Sequence, residues 1–136
     1  MAGKAEVEIA RKLFAAWSSG DVDAPAEFLT EDAVLHDIVE GNDKVGWPAI
    51  RKFFGAALKI SPDVVLEPDA FWVNENGVAV RWRMSATAGE MFGPEVRGRK
   101  WHSEGMSTLE FRDGKVCHEV DYHHGGAVLR SLGIDG

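Results

Sequence analysis

A single cysteine, Cys117, leaves the chain no partner for an intrachain disulfide. Placed among β-forming residues, it reads as a small buried hydrophobe. No apolar run is long enough to span a bilayer. Residues 1–8 carry alternating charges without the apolar core of a secretory leader, so the chain reads as soluble and cytoplasmic. Basic residues are scarce against acids, and the formal net charge of −7 repels phosphate backbones, which argues against a nucleic-acid partner. The one local basic cluster, Arg97, Arg99 and Lys100, is short and free of interleaved aromatics. No phosphate loop, nucleotide fingerprint or nucleophile elbow is present, and Ser103 and Ser107 lack the flanking glycines of a serine hydrolase. His-x-x-x-His and Cys/His spacings are missing too, and the adjacent His123 and His124 would point to opposite sides of a strand. No metal and no organic cofactor is therefore expected.

What remains is an ordinary globular balance, with 45% hydrophobic and 27% charged residues, long enough for one domain over residues 1–136. Five Trp and seven Phe against one Tyr make an aromatic set that suits a core or the wall of an apolar pocket. Val7, Ala10, Leu13, Phe14 and Trp17 recur at helical spacing up to the Ser18-Ser19-Gly20 stop. Asp23 and Pro25 open a short second helix, and residues 33–39 read as a strand broken at Gly41. Trp47-Pro48 starts a third helix with Ile50, Phe53, Phe54, Ala57 and Leu58 on its apolar stripe, ended by Ser61-Pro62. Beyond it the period changes to two. Strands are expected over 64–73, bent at Pro68, from Val78 through Met84, over 99–111 with a kink at Gly105, and over 116–123. Asn76-Gly77 and Asp113-Gly114 are hairpin turns, and a last helical turn ends near Leu132. Helices first and hairpin-linked strands afterwards define an α+β layout, in which an antiparallel sheet curls around the helices and encloses a pocket.

Several segments resemble SnoaL-like proteins of the NTF2-like superfamily. These are Trp17-Ser18-Ser19-Gly20-Asp21, Phe28-Leu29-Thr30-Glu31-Asp32-Ala33, Trp47 through Phe54, Leu109 through Val116, and Val128 through Gly133. The resemblance covers nearly the whole chain and implies the cone-shaped fold of that superfamily, with one internal pocket. The superfamily holds ketosteroid isomerases, limonene-epoxide hydrolases, polyketide cyclases and dehydratases, together with domains that only bind or assemble, so activity has to be argued from the site.

The resemblance places Asp37 at the general-base position of the isomerases. Their two oxyanion-stabilising donors fall near Leu13 and Ser107. Val120-Asp121-Tyr122 is similar to the hydrolase segment whose Asp activates water, and Arg81-Trp82-Arg83 to its Arg-x-Asp triplet, with Arg83 in place of the acid. Strand alternation puts Cys117, Glu119, Asp121 and His123 on one face and His118, Val120 and Tyr122 on the other. The expected catalytic set is Asp37 as base, Asp121 as acid or base, Arg81 as the cation between them, and His123 as a further acid or base. Trp17, Phe53, Phe54, Trp72, Trp101 and Met106 are core or pocket wall. Of these Trp17, Phe54, Trp72, Trp101 and Met106, with Arg83 and Glu119, form the expected substrate-contacting set. Val78, Val80, Trp82 and Met84 make a strand face apolar enough to pair with a second copy, so a homodimer is expected.

Three functions fit. One is a cofactor-independent acid–base enzyme (isomerase, cyclase, dehydratase or hydrolase type) for a small, largely apolar molecule. The others are a non-catalytic pocket for a hydrophobic ligand and a dimerisation module.

Overall fold

The apolar stripe of the first helix buries Ala10, Leu13, Phe14 and Trp17 in a core shared with a sheet. The structure is a computed structural model that describes residues 2–133. The expected domain over 1–136 takes in Met1 and residues 134–136, which lie outside the described residues. Helix α1 (Ala2–Trp17) leads through a 3₁₀ turn (Ala24–Phe28) into β1 (Leu29–Asp37) and a short β2 (Asp43–Val45). Helix α2 (Trp47–Ile60), with Pro48 in its first turn where a missing N–H costs nothing, precedes β3 (Val65–Asn74) and β4 (Gly77–Thr87). A second 3₁₀ turn (Glu90–Phe92), β5 (Lys100–Arg112), β6 (Lys115–His123) and α3 (Gly125–Ser131) complete the order.

The strands form one sheet in the order β2-β1-β6-β5-β4-β3. The hairpin signals join β3, β4, β5 and β6 as antiparallel neighbours. At the β5–β6 turn both Asp113 (φ 54°) and Gly114 (φ 78°) adopt positive φ, as a primed two-residue turn demands. Pro68 sits on the edge strand β3 beside a register shift, which is where a residue without an N–H is tolerated. One junction differs from the hairpin pattern. Strand β1 runs parallel to β6, in a register that sets Asp37 opposite Asp121.

Two apolar clusters fill the interior. The larger joins α1 and α2 to the inner sheet face through Phe14, Ile50, Val80, Leu109 and Val116. The smaller, Ala86, Ala88, Val96, Trp101 and Leu132, lies at the α3 end.

This arrangement corrects the expected dimer face. Val78, Val80 and Trp82 are 2%, 0% and 2% exposed and belong to the core, while Arg81 and Arg83 between them face outward. Alternation separates the two faces of a strand but does not say which of them the helices cover. The apolar face went to the helices because they bring the larger apolar area to bury.

Candidate functional site

Where α1 and α2 meet the inner face of the sheet, a cavity of about 160 Å³ remains. Its walls are largely apolar: Trp17, Phe53, Phe54 and Ala57 from the helices, Leu35 from β1, and Leu66, Trp82 and Met84 from β3 and β4. Trp17 and Phe54 stand edge to face with ring centroids 4.8 Å apart. The ionisable side chains of the wall lie on the sheet: Asp37 at the end of β1, and Glu119, Asp121 and His123 at alternate positions of β6. A wider groove of about 410 Å³ at the β3–β4 hairpin has one ionisable side chain in its lining, Glu110.

Asp37 and His123 form a pair inside this cavity. His123 Nε2 lies 3.0 Å and 3.1 Å from the two Asp37 carboxylate oxygens. Asp37 Oδ1 also accepts the main-chain N–H groups of Val39 (2.9 Å) and Glu40 (3.2 Å) from the turn after β1. Burial pushes Asp37 up, but the hydrogen bond and charge of His123 and the two turn amides outweigh it, and the net movement is downward. His123 moves up, chiefly through its hydrogen bond to Asp37, with the charges of Asp37 and Asp121 adding to it against burial. Each partner thus favours the charged form of the other, the carboxylate of Asp37 and the protonated ring of His123. The stabilisation of the pair is fully present between two limits. It is lost as pH falls from the ordinary Asp value of 3.8 through the lowered one, and as pH rises from the ordinary His value of 6.5 through the raised one. Asp37→Asn should accordingly bring the His123 titration down toward its ordinary value, read directly from the imidazole NMR shifts, and remove the upper limit from the stability profile.

Asp121 is held differently. Trp82 Nε1 donates to Ser107 Oγ at 2.9 Å, and Ser107 Oγ donates to Asp121 Oδ1 at 2.6 Å. Burial raises Asp121. Hydrogen bonds from Glu119 and Ser107 and the charge of His123 pull it down, the charge of Asp37 pushes it up, and the net movement is upward. Of the two aspartates, Asp121 is thus the one whose proton affinity is raised, while the Asp37 carboxylate is held against His123.

Other expected site residues lie elsewhere. Arg81 is on the outer sheet face, its side chain 52% exposed, with Nε 2.7 Å from Asp69. Arg83 faces outward toward Glu104 at 3.5 Å. Trp72 and Met106 are exposed on the outer face, and Trp101 is buried in the α3 cluster. The basic side chain beside the acids is His123, not Arg81, because β4 alternation commits Arg81 to the side opposite Val80 and Trp82. Trp17, Phe54 and Glu119 do line the cavity, as do Asp37, Asp121 and His123.

Ser107, which the resemblance sets near a donor position of the isomerases, joins the site through Asp121. The available signal was a serine on the inward face of β5 between Ser103 and Leu109, where a buried hydroxyl needs a partner. The other histidines stand outside the cavity. His36 meets Asp43 at 2.6 Å, His118 meets Glu110 at 2.9 Å, and His124 lies 3.3 Å from Arg130. Among the described residues, no cluster of three or more His, Cys, Asp or Glu side chains has metal-holding geometry, and no helix is long and apolar enough to cross a membrane.

The profile of the SnoaL-like domain matches residues 10–119, most of the chain. The chain belongs to the SnoaL-like family. Solved structures agree with the SnoaL-like assignment. AclR from Streptomyces galilaeus, provisionally assigned as a hydroxylase, is 27% identical with a TM-score of 0.81, over 98% of this chain and 88% of AclR. IdmH from Streptomyces antibioticus, provisionally assigned as a polyketide cyclase, is 20% identical with a TM-score of 0.83, over 95% and 99% of the two chains. A protein of ketosteroid isomerase-like fold from Catenulispora acidiphila, crystallised with trimethylamine, is 16% identical with a TM-score of 0.83, over 94% of each chain. The last two likenesses establish the shared SnoaL-like fold. A comparison with curated proteins found no match.

Proposed function

We propose that this SnoaL-like protein is a cofactor-independent acid–base enzyme of the cyclase or isomerase type, acting on a small, largely apolar carbonyl compound. The reading rests on one observation. Asp121 is held by Ser107 in an apolar cavity and accompanied there by His123, whose protonated form Asp37 favours. Asp121 removes a proton from a carbon next to the carbonyl. The negative charge that develops on the substrate is met by His123, whose positive charge counts for more in a cavity from which water is largely excluded. Asp121, now neutral, returns the proton at another position or to the oxygen, and both outcomes leave the protein unchanged. Neighbours named as polyketide cyclases support a carbonyl-rich substrate. The cavity volume supports one ring, or one segment of a longer molecule, at the reacting position.

Proton transfer can be tested before the natural substrate is known. Incubation in D₂O with a panel of small β-dicarbonyl and aryl ketone compounds should give protein-dependent deuterium entry at the acidic carbon, followed by NMR. Tight binding of the panel with no exchange above the buffer rate would overturn the catalytic reading in favour of a ligand-binding pocket.

We also propose that the chain acts as a homodimer, paired through the outer sheet face in place of the face expected from sequence. Arg81, Met106 and Tyr122 are direct cross-strand neighbours there, and Arg81 lies 5.7 Å from the centre of the Trp72 ring. Trp72, Met106 and Tyr122 are 51%, 37% and 44% exposed, an apolar stripe that a second copy would cover. Light scattering at micromolar concentration should report twice 14.9 kDa, and Met106→Glu should shift it toward the monomer. A monomeric mass for the unaltered chain would count against the dimer.

A further inference from the structure

Glu119 is the one acid of the cavity that the proton-transfer scheme leaves without a task, and its surroundings are the least suited to a charge. It is 3% exposed, on the same face of β6 as Asp121 two residues on, and its cross-strand neighbours are Leu35 and Leu109. The titratable groups that face it are Asp37, Asp121 and His123. The walls contributed by α1, α2, β3 and β4 bring no charged side chain. His123 is already engaged with Asp37. Glu119 Oε1 is sealed from solvent and has no hydrogen-bond partner among the described residues, and the same holds for Trp17 Nε1.

An ionised carboxylate in that position would be a buried charge with no cation of its own. As a neutral acid it carries an O–H, and the neighbouring carboxylate on its own face of β6, in the same cavity wall, is Asp121. Resting on the reading of Asp121 as the base, we infer that Glu119 is a positioning residue: a buried carboxylic acid whose O–H holds the Asp121 carboxylate together with Ser107, so that Asp121 stays ionised and aimed at the cavity. Glu119 is on this account no substrate contact, which departs from its expected place in the substrate-binding set.

The proton belongs on Glu119 and not on Asp121 for a local reason. Asp121 has the Ser107 hydroxyl and the charge of His123 to support its ionised form, whereas Glu119 Oε1 has no hydrogen-bond partner among the described residues and no cation of its own. Burial first, and then the charge and hydrogen bond of Asp121, push Glu119 well above its ordinary range. Two acids joined in this way titrate as a coupled pair.

The test is a ¹³C-carboxyl NMR titration of the full chain, unaltered and as Glu119→Gln and Glu119→Leu. The unaltered chain should show one carboxyl titrating well above the ordinary Glu value of 4.5 and coupled to a second. In Glu119→Gln the high titration should vanish. Asp121 should then titrate alone, near its original position, because the Gln amide still donates to it. In Glu119→Leu the donor is gone, and the Asp121 titration should rise by about one pH unit or more. If the Leu variant does not fold, the Gln variant alone decides, through the loss of coupling.

A Glu119 that titrates near 4.5, or an Asp121 titration whose coupling survives Glu119→Gln, would overturn the inference. The readout needs no turnover. A failed deuterium-exchange experiment therefore leaves it standing, and a failed titration leaves the acid–base reading standing.

Discussion

Asp121→Asn should lower the rate of proton transfer by about 10²- to 10⁴-fold, the range a positioned general base contributes, with the fold and ligand binding largely intact. The expectation follows from what Asn keeps and what it loses. Its amide oxygen can still accept from Ser107, which is itself tied to Trp82, so the Trp82–Ser107 connection has no reason to break. Its amide group cannot take a proton. The substitution also removes a charge from a site where burial already works against ionisation, so thermal stability at neutral pH should stay level or increase. Deuterium entry into a responsive ketone, measured side by side with the melting temperature, checks both halves. An exchange rate equal to that of the unaltered chain would take Asp121 out of the mechanism. A collapse in melting temperature would make it a structural residue.

Gly105→Ala is the second substitution with a large expected effect, and it acts on the site from outside the lining. Gly105 lies opposite Trp82 on β4 and His123 on β6. A Cβ built there would stand 2.5 Å from the Trp82 six-membered ring and 2.5 Å from the main-chain oxygen of Tyr122. The ring can move only by giving up its hydrogen bond to Ser107, and the Tyr122 oxygen belongs to the sheet and cannot move cheaply. Over-packing of this kind costs about 1–3 kcal/mol. Because the displaced ring is the one that orients Ser107, the exchange rate should fall together with the melting temperature. Trp fluorescence and urea unfolding would register the displacement and its cost. Unchanged emission, stability and exchange rate would mean that the notch at Gly105 is not needed to seat Trp82.

Asp37 illustrates how far residue type and position carry. Resemblance assigned it the role of base, and the geometry places it in the right cavity. Yet the turn after β1 supplies Val39 and Glu40 amides to its carboxylate, and His123 takes both of its oxygens. A carboxylate with so many donors is a poor proton acceptor, and the proposed mechanism therefore gives the role of base to Asp121. Nothing in the local sequence announces this, because the decisive partner is 86 residues away.

The sequence by itself determined the helices, the hairpin-linked strands and the family, and it put Glu119, Asp121 and His123 on a common face. Those features depend on local quantities: the period of apolar residues, the turn chemistry of Asn76-Gly77 and Asp113-Gly114, and the two-residue alternation of a strand. The tertiary structure alone decided which face of β4 the helices cover, and with it the exclusion of Arg81 from the cavity and the burial of Trp82. It also decided that β1 lies parallel to β6 with Asp37 opposite Asp121, the register that brings Asp37 to His123. Alternation defines two sides without labelling them inside and outside. A parallel junction between distant strands is closed by packing across the intervening helix and strands, not by any turn.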